Sequence, residues 1–474
     1  MLDVNPFRKN KIKLSDYDFE RDIKNRIMLS EMSPGELIIL EEILYNPVRF
    51  PISRLLKSLD LTIEEIQPTI ERLGLSGLFT LDGDTICVNK EMRKYFEAEI
   101  VKYEEDFSPD MDHLQNLLKK VPIHVLPTWY HIPRTSNNIF ESLVEKYLLT
   151  PQIFERYLME LNFGDDTLNG IAQDVLQAPN FTLTADQIKS KYNLDKVQFE
   201  EAMLHLEFNF VCCLSARKEG NQFEQIVTPF FEWGEYLHFI RTKTPKSLKN
   251  SANIHRRRPH DFSFIEDITE LVKLCKEGPI SLTESESGSL ILEKRALDEL
   301  QDRLPSFTTQ KEFIKYVEKL IAKSTLLNLT ATDNMILSPL EEANFWLTLS
   351  TENRALRSYK TLYVHLITMG KHFNERNLRE WEKSLCKILD LGWITFDDFM
   401  KGVTIPLSDE SKIALKKVGR KWRYTLPSYT DEETELIKTH ILDWLFEAGL
   451  IALGQCDDAL CFSVTELGKN IFNS

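Results

Sequence analysis

The sequence predicts a mainly α chain with short β-hairpins, arranged as a tandem array of small domains. Three observations point there. Apolar residues recur at helical spacing, four such stretches run into two short strand-like segments around a polar turn, and a further helix follows each pair. At 474 residues the chain exceeds one hydrophobic core and, at roughly 100–200 residues per domain, suggests three or four.

The first copy is Thr62–Phe96. Ile63, Ile66, Ile70 and Leu73 share one helix face, Gly74 and Gly77 interrupt the helix, and "LFTL" and "TICV" flank a "DGD" hairpin turn. The second, Asp195–Ile240, sets "FVCCL" and "FEQIVTP" around the polar tip "SARKEGNQ". The third, Gln310–Leu349, turns at "ATDN", and the fourth, Glu433–Phe472, turns at "GQCDD". Shorter helical stretches lie upstream of each, most clearly in Pro34–Asp60, where Asn46 and Pro47 separate two apolar runs. Two or three helices followed by a two-stranded hairpin describe the winged-helix form of the helix-turn-helix, whose helix before the wing is the candidate recognition helix.

The expected layout is therefore a tandem array of winged-helix (helix-turn-helix plus wing) domains. Unit 1 covers 1–105, a proline-containing linker 106–140, unit 2 141–240, a basic connector 241–260, unit 3 261–350, and unit 4, with a basic insertion, 351–474. The linkers are expected because 106–138 carries four prolines without a long period, and 241–259 is polar and basic.

The balance of 42% apolar and 28% charged residues is that of a folded globular protein. A formal net charge of −15 excludes coating nucleic acid by overall attraction, so any DNA contact has to be a local patch. The basic start of the chain lacks the apolar stretch of a secretory signal, and no apolar run approaches the ~20 residues of a membrane span. The expectation is a soluble, cytoplasmic protein without membrane contact. Seven cysteines fit reduced, buried thiols better than a disulfide framework.

No phosphate-cradling G-x-x-x-x-G-K-[ST] or G-x-G-x-x-G loop occurs, nor an H-E-x-x-H pair, a G-x-S-x-G elbow or paired C-x-x-C motifs. Cys456 and Cys461 flank the last turn and Cys212 and Cys213 are adjacent, without a nearby histidine, so small buried hydrophobes are expected rather than metal ligands. Asp165 and Asp166 read as a helix N-terminus, and His255 and His260 as solvated connector residues. The chain is expected to be no enzyme and to need no cofactor or metal.

Charge on the candidate recognition helices discriminates between partners. The first carries Glu64, Glu65 and Glu71, the second Glu200, Glu201 and Glu207, and the fourth begins "DEETE"; phosphates are repelled by such faces. Only the third is basic, with Lys311, Lys315, Lys319 and Lys323 on one broad face, which is either a phosphate contact or a solvated surface. "KKVGRKWRY" interleaves Lys416, Lys417, Arg420, Lys421 and Arg423 with Trp422 and Tyr424. It suits phosphate attraction with rings for base stacking, or equally a basic hairpin whose aromatics pack inward. Arg256, Arg257 and Arg258 either track a nucleic-acid backbone or merely solubilise a linker.

The segment Leu337–Leu366, with Ser338 and Pro339 after a strand, Trp346 and Leu347 ending a short helix, then Leu349, Ser350, Glu352, Arg354 and an apolar helix towards Leu362, resembles the regulatory region ahead of the motor in XPB-type DNA helicases and in stand-alone bacterial proteins that carry it. "FSVTELGKNIF" and "IVTPFFEWGEYL" look like further copies of that strand-to-helix turn. The family pattern continues into a small mixed α/β damage-recognition element and a motor, neither of which is seen here. The resemblance thus implies a DNA-associated accessory of repair or transcription, with a helicase as one partner, and carries over no catalytic residue. The expected partner is DNA; the alternative is a scaffold that uses acidic winged-helix surfaces to bind proteins.

Overall fold

The computed structural model describes residues 8, 9, 11–133, 138–220, 222–249, 253–284, 288–304, 307, 309–369, 375–419 and 421–473. They form two compact units, one of residues 1–239 with Ile413–Thr425 and one of 240–412 with 426–474. Both are mainly helical with small, almost entirely antiparallel sheets.

In the first unit β1 (Arg8–Lys9) and α1 (Phe19–Ser30) precede α2 (Pro34–Tyr45), β2 (Arg49–Pro51), α3 (Ile52–Leu59), α4 (Ile63–Leu75), β3 (Phe79–Asp82), β4 (Thr85–Val88) and α5 (Lys90–Ile100). Next come α6 (Met111–Leu118), α7 (Leu126–Tyr130), α8 (Ile139–Leu143), α9 (Pro151–Glu160) and β5 (Leu161–Asn162). The first pattern then returns as α10 (Asp166–Gln177), β6 (Leu183–Thr184), α11 (Ala185–Tyr192), α12 (Lys196–Phe208), β7 (Cys213–Glu219), β8 (Gln222–Thr228) and α13 (Phe231–Thr242).

The second unit starts with β9 (Ile254–Arg256) and repeats the pattern as α14 (Ser263–Glu277), β10 (Ile280–Glu284), β11 (Leu290–Leu292), α15 (Lys294–Arg303), α16 (Gln310–Leu326), β12 (Thr330–Asp333), β13 (Ile336–Pro339) and α17 (Glu341–Thr348). After α18 (Thr351–Met369) it returns as α19 (Glu375–Cys386), β14 (Ile394–Thr395), α20 (Phe396–Met400), α21 (Asp431–Thr439), β17 (Ile451–Cys456), β18 (Ala459–Val464) and α22 (Glu466–Phe472). Between α20 and α21 the chain forms β15 (Leu415–Val418) and β16 (Lys421–Tyr424), which belong to the first unit.

The order helix, strand, helix, helix, hairpin, helix thus occurs four times, with an added strand β11 in the third copy and the β15–β16 hairpin inserted in the fourth. In every copy the strand after the first helix pairs antiparallel with the second strand of the hairpin: β2 with β4, β6 with β8, β10 with β13, β14 with β18; in the third copy β10 pairs with β11 as well. Each copy also encloses its own apolar core.

Local chemistry repeats with the topology. Side-chain oxygens of Asp195, Thr309 and Thr430 accept from the first-turn amides of α12, α16 and α21, and Thr62 forms a capping box with Glu65 at α4. The helix before each hairpin ends on one left-handed residue, Gly77, Phe210, Asn328 or Gly449. Phe210 is the costly choice, and its buried ring stacked on Tyr130 at 5.2 Å offsets that cost. Gly74, expected to break α4, stays helical; Gly77 alone supplies the positive φ.

Several boundaries differ from expectation. Residues 106–140 are not a linker: α6 and α7 lie there, and Trp129 packs edge-on against Phe208 with centroids 5.2 Å apart. Proline splits this stretch into helices too short to show a period. Residues 241–260 are not merely a connector, since Ile254–Arg256 pairs with Gly454–Cys456 as an edge strand. The "SARKEGNQ" tip is mostly ladder, paired from Ser215↔Ile226 out to Glu219↔Gln222. "ATDN" contributes its first three residues to β12, and the turn is Asn334–Met335, both at positive φ. All seven cysteines are free, and Cys212, Cys213, Cys275 and Cys461 are buried, whereas Cys386 is exposed. Among the described residues no helix is long and apolar enough to cross a membrane.

Candidate nucleic-acid interface

The hairpin β15–β16 is built from alternating residues. Leu415 faces Tyr424, Lys416 faces Arg423, Lys417 faces Trp422 and Val418 faces Lys421. Because side chains alternate across a strand, Leu415, Lys417, Trp422 and Tyr424 share one side, and Lys416, Val418, Lys421 and Arg423 the other.

The first side anchors the hairpin. Helix α8 passes into a π turn at Val144–Leu148, whose end leaves carbonyls without helical partners. The hydroxyl of Tyr424 donates to the Leu148 carbonyl at 2.7 Å, and the amide of Leu415 donates to the Leu149 carbonyl at 2.8 Å. Leu415 and Tyr424 are buried, Tyr424 against Trp233 and Tyr236. Burial pushes its hydroxyl pKa well above the ordinary tyrosine value. Tyr424 is therefore an anchor and is withdrawn as a stacking ring. Trp422 is half-buried, edge-on to Phe140 at 6.0 Å, so part of the indole stays accessible.

The other side is open. Lys416, Lys421 and Arg423 are exposed, as is Lys417 on the anchored side, and Val418 is 59% exposed beside the tip. Among the described residues none of these four cations meets a carboxylate, and β15 and β16 contain no acid. The neighbouring Gly419 takes the positive φ of 65° that the turn requires. Arg420 lies outside the described residues. No known protein family, curated protein or solved structure matched the chain.

The other expected cations fare differently, and all lie in the second unit. Lys311 and Lys315 are exposed on α16 with no ion-pair partner among the described residues. Lys319 is held by Asp443 at 3.0 Å, and buried Lys323 pairs with Glu447 at 3.1 Å. The four-lysine face is thus open only over its first two members.

Arg258 is buried, ion-paired to Asp267 and laid over the rings of Tyr316 and Phe307. It holds the core together and is not available to a phosphate. Arg256 is tied to Asp261 and lies over the Trp393 ring, and Arg257 lies over Phe446 while its amide donates to Leu453.

The acidic candidate helices are also corrected in part. Glu200 and Glu207 of α12 do not face solvent; both bind Arg26 of α1, at 2.7 and 2.6 Å. Burial is the largest single influence and works to raise the Glu207 pKa, but the charge and hydrogen bond of Arg26 together with the charge of Lys102 outweigh it and hold the carboxyl at about 2. Beside it Lys120 joins Asp22 and Glu99, and Glu99 also binds Lys102. Phe199, Ala202, Met203, Leu204, Leu206 and Phe208 are buried with Glu200 and Glu207, so α12 is largely an interior helix that exposes only its first turn and the side bearing Glu201. α4 keeps Glu64, Glu65 and Glu71 exposed, α21 keeps Asp431, Glu432 and Glu435, and of the α12 acids Glu201 alone is exposed.

The segment that carries the helicase-region resemblance is structural. Trp346 is fully buried and its indole N–H donates to Thr269 Oγ1 at 3.0 Å. Arg354 donates to the carbonyls of Trp346 and Leu347, both at 2.9 Å, closing the carboxyl end of α17.

Sequence reasoning missed Phe140 and Leu148, which hold the hairpin in place. Tyr424 and Leu148 are 276 positions apart, so no local pattern signals their bond.

Proposed function

We propose that this chain is a non-enzymatic tandem array of four winged-helix domains that binds DNA through the hairpin β15–β16, acting as an accessory in repair or transcription beside a helicase. The fourfold order of helix, strand, helix, helix and hairpin, with the same strand pairing each time, supports the winged-helix reading. The observation that carries the DNA reading is the hairpin's open face, where Lys416 and Arg423 stand directly opposite each other and, among the described residues, no carboxylate neutralises them. Like charges across a ladder destabilise it, and a phosphate backbone removes that penalty on binding. The accessible part of Trp422 adds a ring on which an unpaired base can stack.

Major-groove reading by the candidate recognition helices has less support. Helix α12 is largely interior, α4 is acidic outside, and half of the lysine face of α16 is spent on Asp443 and Glu447.

The test is fluorescence anisotropy with labelled single-stranded, duplex and forked DNA at several salt concentrations. With four hairpin cations at work, log affinity should fall against log salt with a slope of about −3 to −4. A variant with Lys416, Lys417, Lys421 and Arg423 all changed to Glu should lose binding while keeping its circular dichroism. Equal affinity of that variant overturns the site assignment.

The second reading is a scaffold that grips protein partners. It is favoured by the exposed acids of α4, Glu64, Glu65 and Glu71, which repel phosphates and suit a basic protein.

A further inference from the structure

A second surface of the first unit has chemistry opposite to that of the basic hairpin. Between α2, the end of α5 and the β7–β8 hairpin lies a groove of about 490 Å³. Its volume is in the range of pockets that accept several large side chains.

The groove is apolar at its centre. Ile38 and Tyr45 stand on one face of α2, two helical turns apart, 53% and 77% exposed. Ile100, Val101, Tyr103 and Phe223 continue the lining, and the rings of Tyr103 and Phe223 meet edge to face at 5.1 Å. Leu37 and Leu44 below belong to the core of the first repeat, so the floor is already formed.

The rim is acidic. Glu41, Glu97, Glu104 and Glu105 line the groove, against the single cation Lys218. Glu97 is engaged by Arg93 at 2.8 Å, whereas Glu41, Glu104 and Glu105 are exposed and meet no cation among the described residues. Phosphate is repelled by such a rim, so the groove cannot belong to the DNA surface.

We propose that this groove docks an amphipathic helix of a partner protein, with large apolar side chains seated against Ile38, Tyr45 and Tyr103 and flanking lysines or arginines facing Glu41, Glu104 and Glu105. The occupant follows from charge complementarity and from the spacing of Ile38 and Tyr45, which matches anchors two turns apart on a bound helix. The inference does not depend on DNA binding.

The experiment uses the full chain and a fluorescent synthetic peptide of about four helical turns, with Leu, Phe and Trp on one face and Lys and Arg on the other. One control peptide has every cation changed to glutamate; another has every large apolar residue changed to serine. The protein variants are Ile38→Ser with Tyr45→Ser, and Glu104→Lys with Glu105→Lys. Ile38, Tyr45, Glu104 and Glu105 are all exposed, and circular dichroism with urea denaturation checks that the fold survives.

The expected result is saturable binding of the basic peptide, weakened about tenfold or more in each protein variant and for each control peptide. Equal affinity of the wild type and both variants overturns the proposal, as does failure of the wild type to bind the basic peptide at low salt. A concentration-dependent dimer of the wild type that is lost in the Ile38→Ser, Tyr45→Ser variant also overturns it, because the groove would then be covered by a second copy.

Discussion

Lys416 and Arg423 face each other across the β15–β16 ladder, cation against cation, on the open side of a hairpin whose other side is pinned by Tyr424. Such a pair works against the hairpin, and an anion bound there would relieve it. Stability and binding should therefore respond to charge in opposite directions.

Changing Lys416 to Glu places an anion opposite Arg423. The melting temperature should stay the same or rise, while DNA affinity falls and the slope of log affinity against log salt becomes shallower by about one unit or more. Calorimetry and anisotropy on the same preparation check both. A loss of stability alongside the loss of binding would argue that the cations serve the fold.

Tyr424→Phe keeps the ring and removes the hydroxyl that donates to Leu148. The first unit should lose about 1–2 kcal/mol, because the carbonyl is left buried without that donor. Urea denaturation followed by tryptophan fluorescence measures this. Salt dependence of DNA binding should keep its slope, since no charge has changed.

The Arg26, Glu200 and Glu207 cluster predicts sensitivity to acid. Glu207 has a folded pKa of about 2 against an ordinary 4.5. A carboxyl with a lowered folded pKa contributes stability above its unfolded value and loses it as pH falls towards the folded value. The first unit should thus weaken between about pH 4.5 and 2, by on the order of 3 kcal/mol from this group. Arg26→Met should cost about 3–5 kcal/mol at neutral pH by stranding two buried carboxylates. In an Arg26→Met, Glu200→Gln, Glu207→Gln variant much of that cost should disappear, and equilibrium denaturation across pH reads both effects.

Glu232 predicts the opposite slope. It is buried, and burial is the main reason its pKa rises to about 7, although one oxygen accepts the Met111 amide at 3.0 Å. A raised folded pKa gives stability that is complete below the unfolded value and declines as pH passes through about 7. Glu232→Gln should therefore be more stable than the wild type at pH 8 and lose the advantage at pH 5. Thermal melts at both values decide it, and an advantage independent of pH would show that Glu232 does not titrate in this window.

Much of the architecture was legible in the residues. The apolar spacing of Ile63, Ile66, Ile70 and Leu73, the glycine at 77 and the "DGD" turn are local signals, and α4, β3 and β4 follow from them. The same grammar located the other three helix–hairpin–helix stretches, because caps, turns and periodicity act over a few residues. Strands of two or three residues such as β2, β6 and β14 were not legible, since they are too short to show alternation and exist through the hairpin strand they join.

The candidate surfaces were legible in type but not in availability. The sequence by itself determined four helical repeats with short hairpins, a net acidic chain with local basic runs, and the aromatic-interleaved basic run Lys416–Tyr424. Only the tertiary structure decided which charges stay open. Arg26 reaches Glu207 over 181 positions, Lys323 reaches Glu447 over 124, and Arg258 vanishes between Tyr316 and Phe307, while Lys416 and Arg423 keep to solvent. Periodicity and capping are properties of neighbours in the chain. The fate of a charge depends on what the fold brings against it, and that partner is set by packing between elements far apart in sequence.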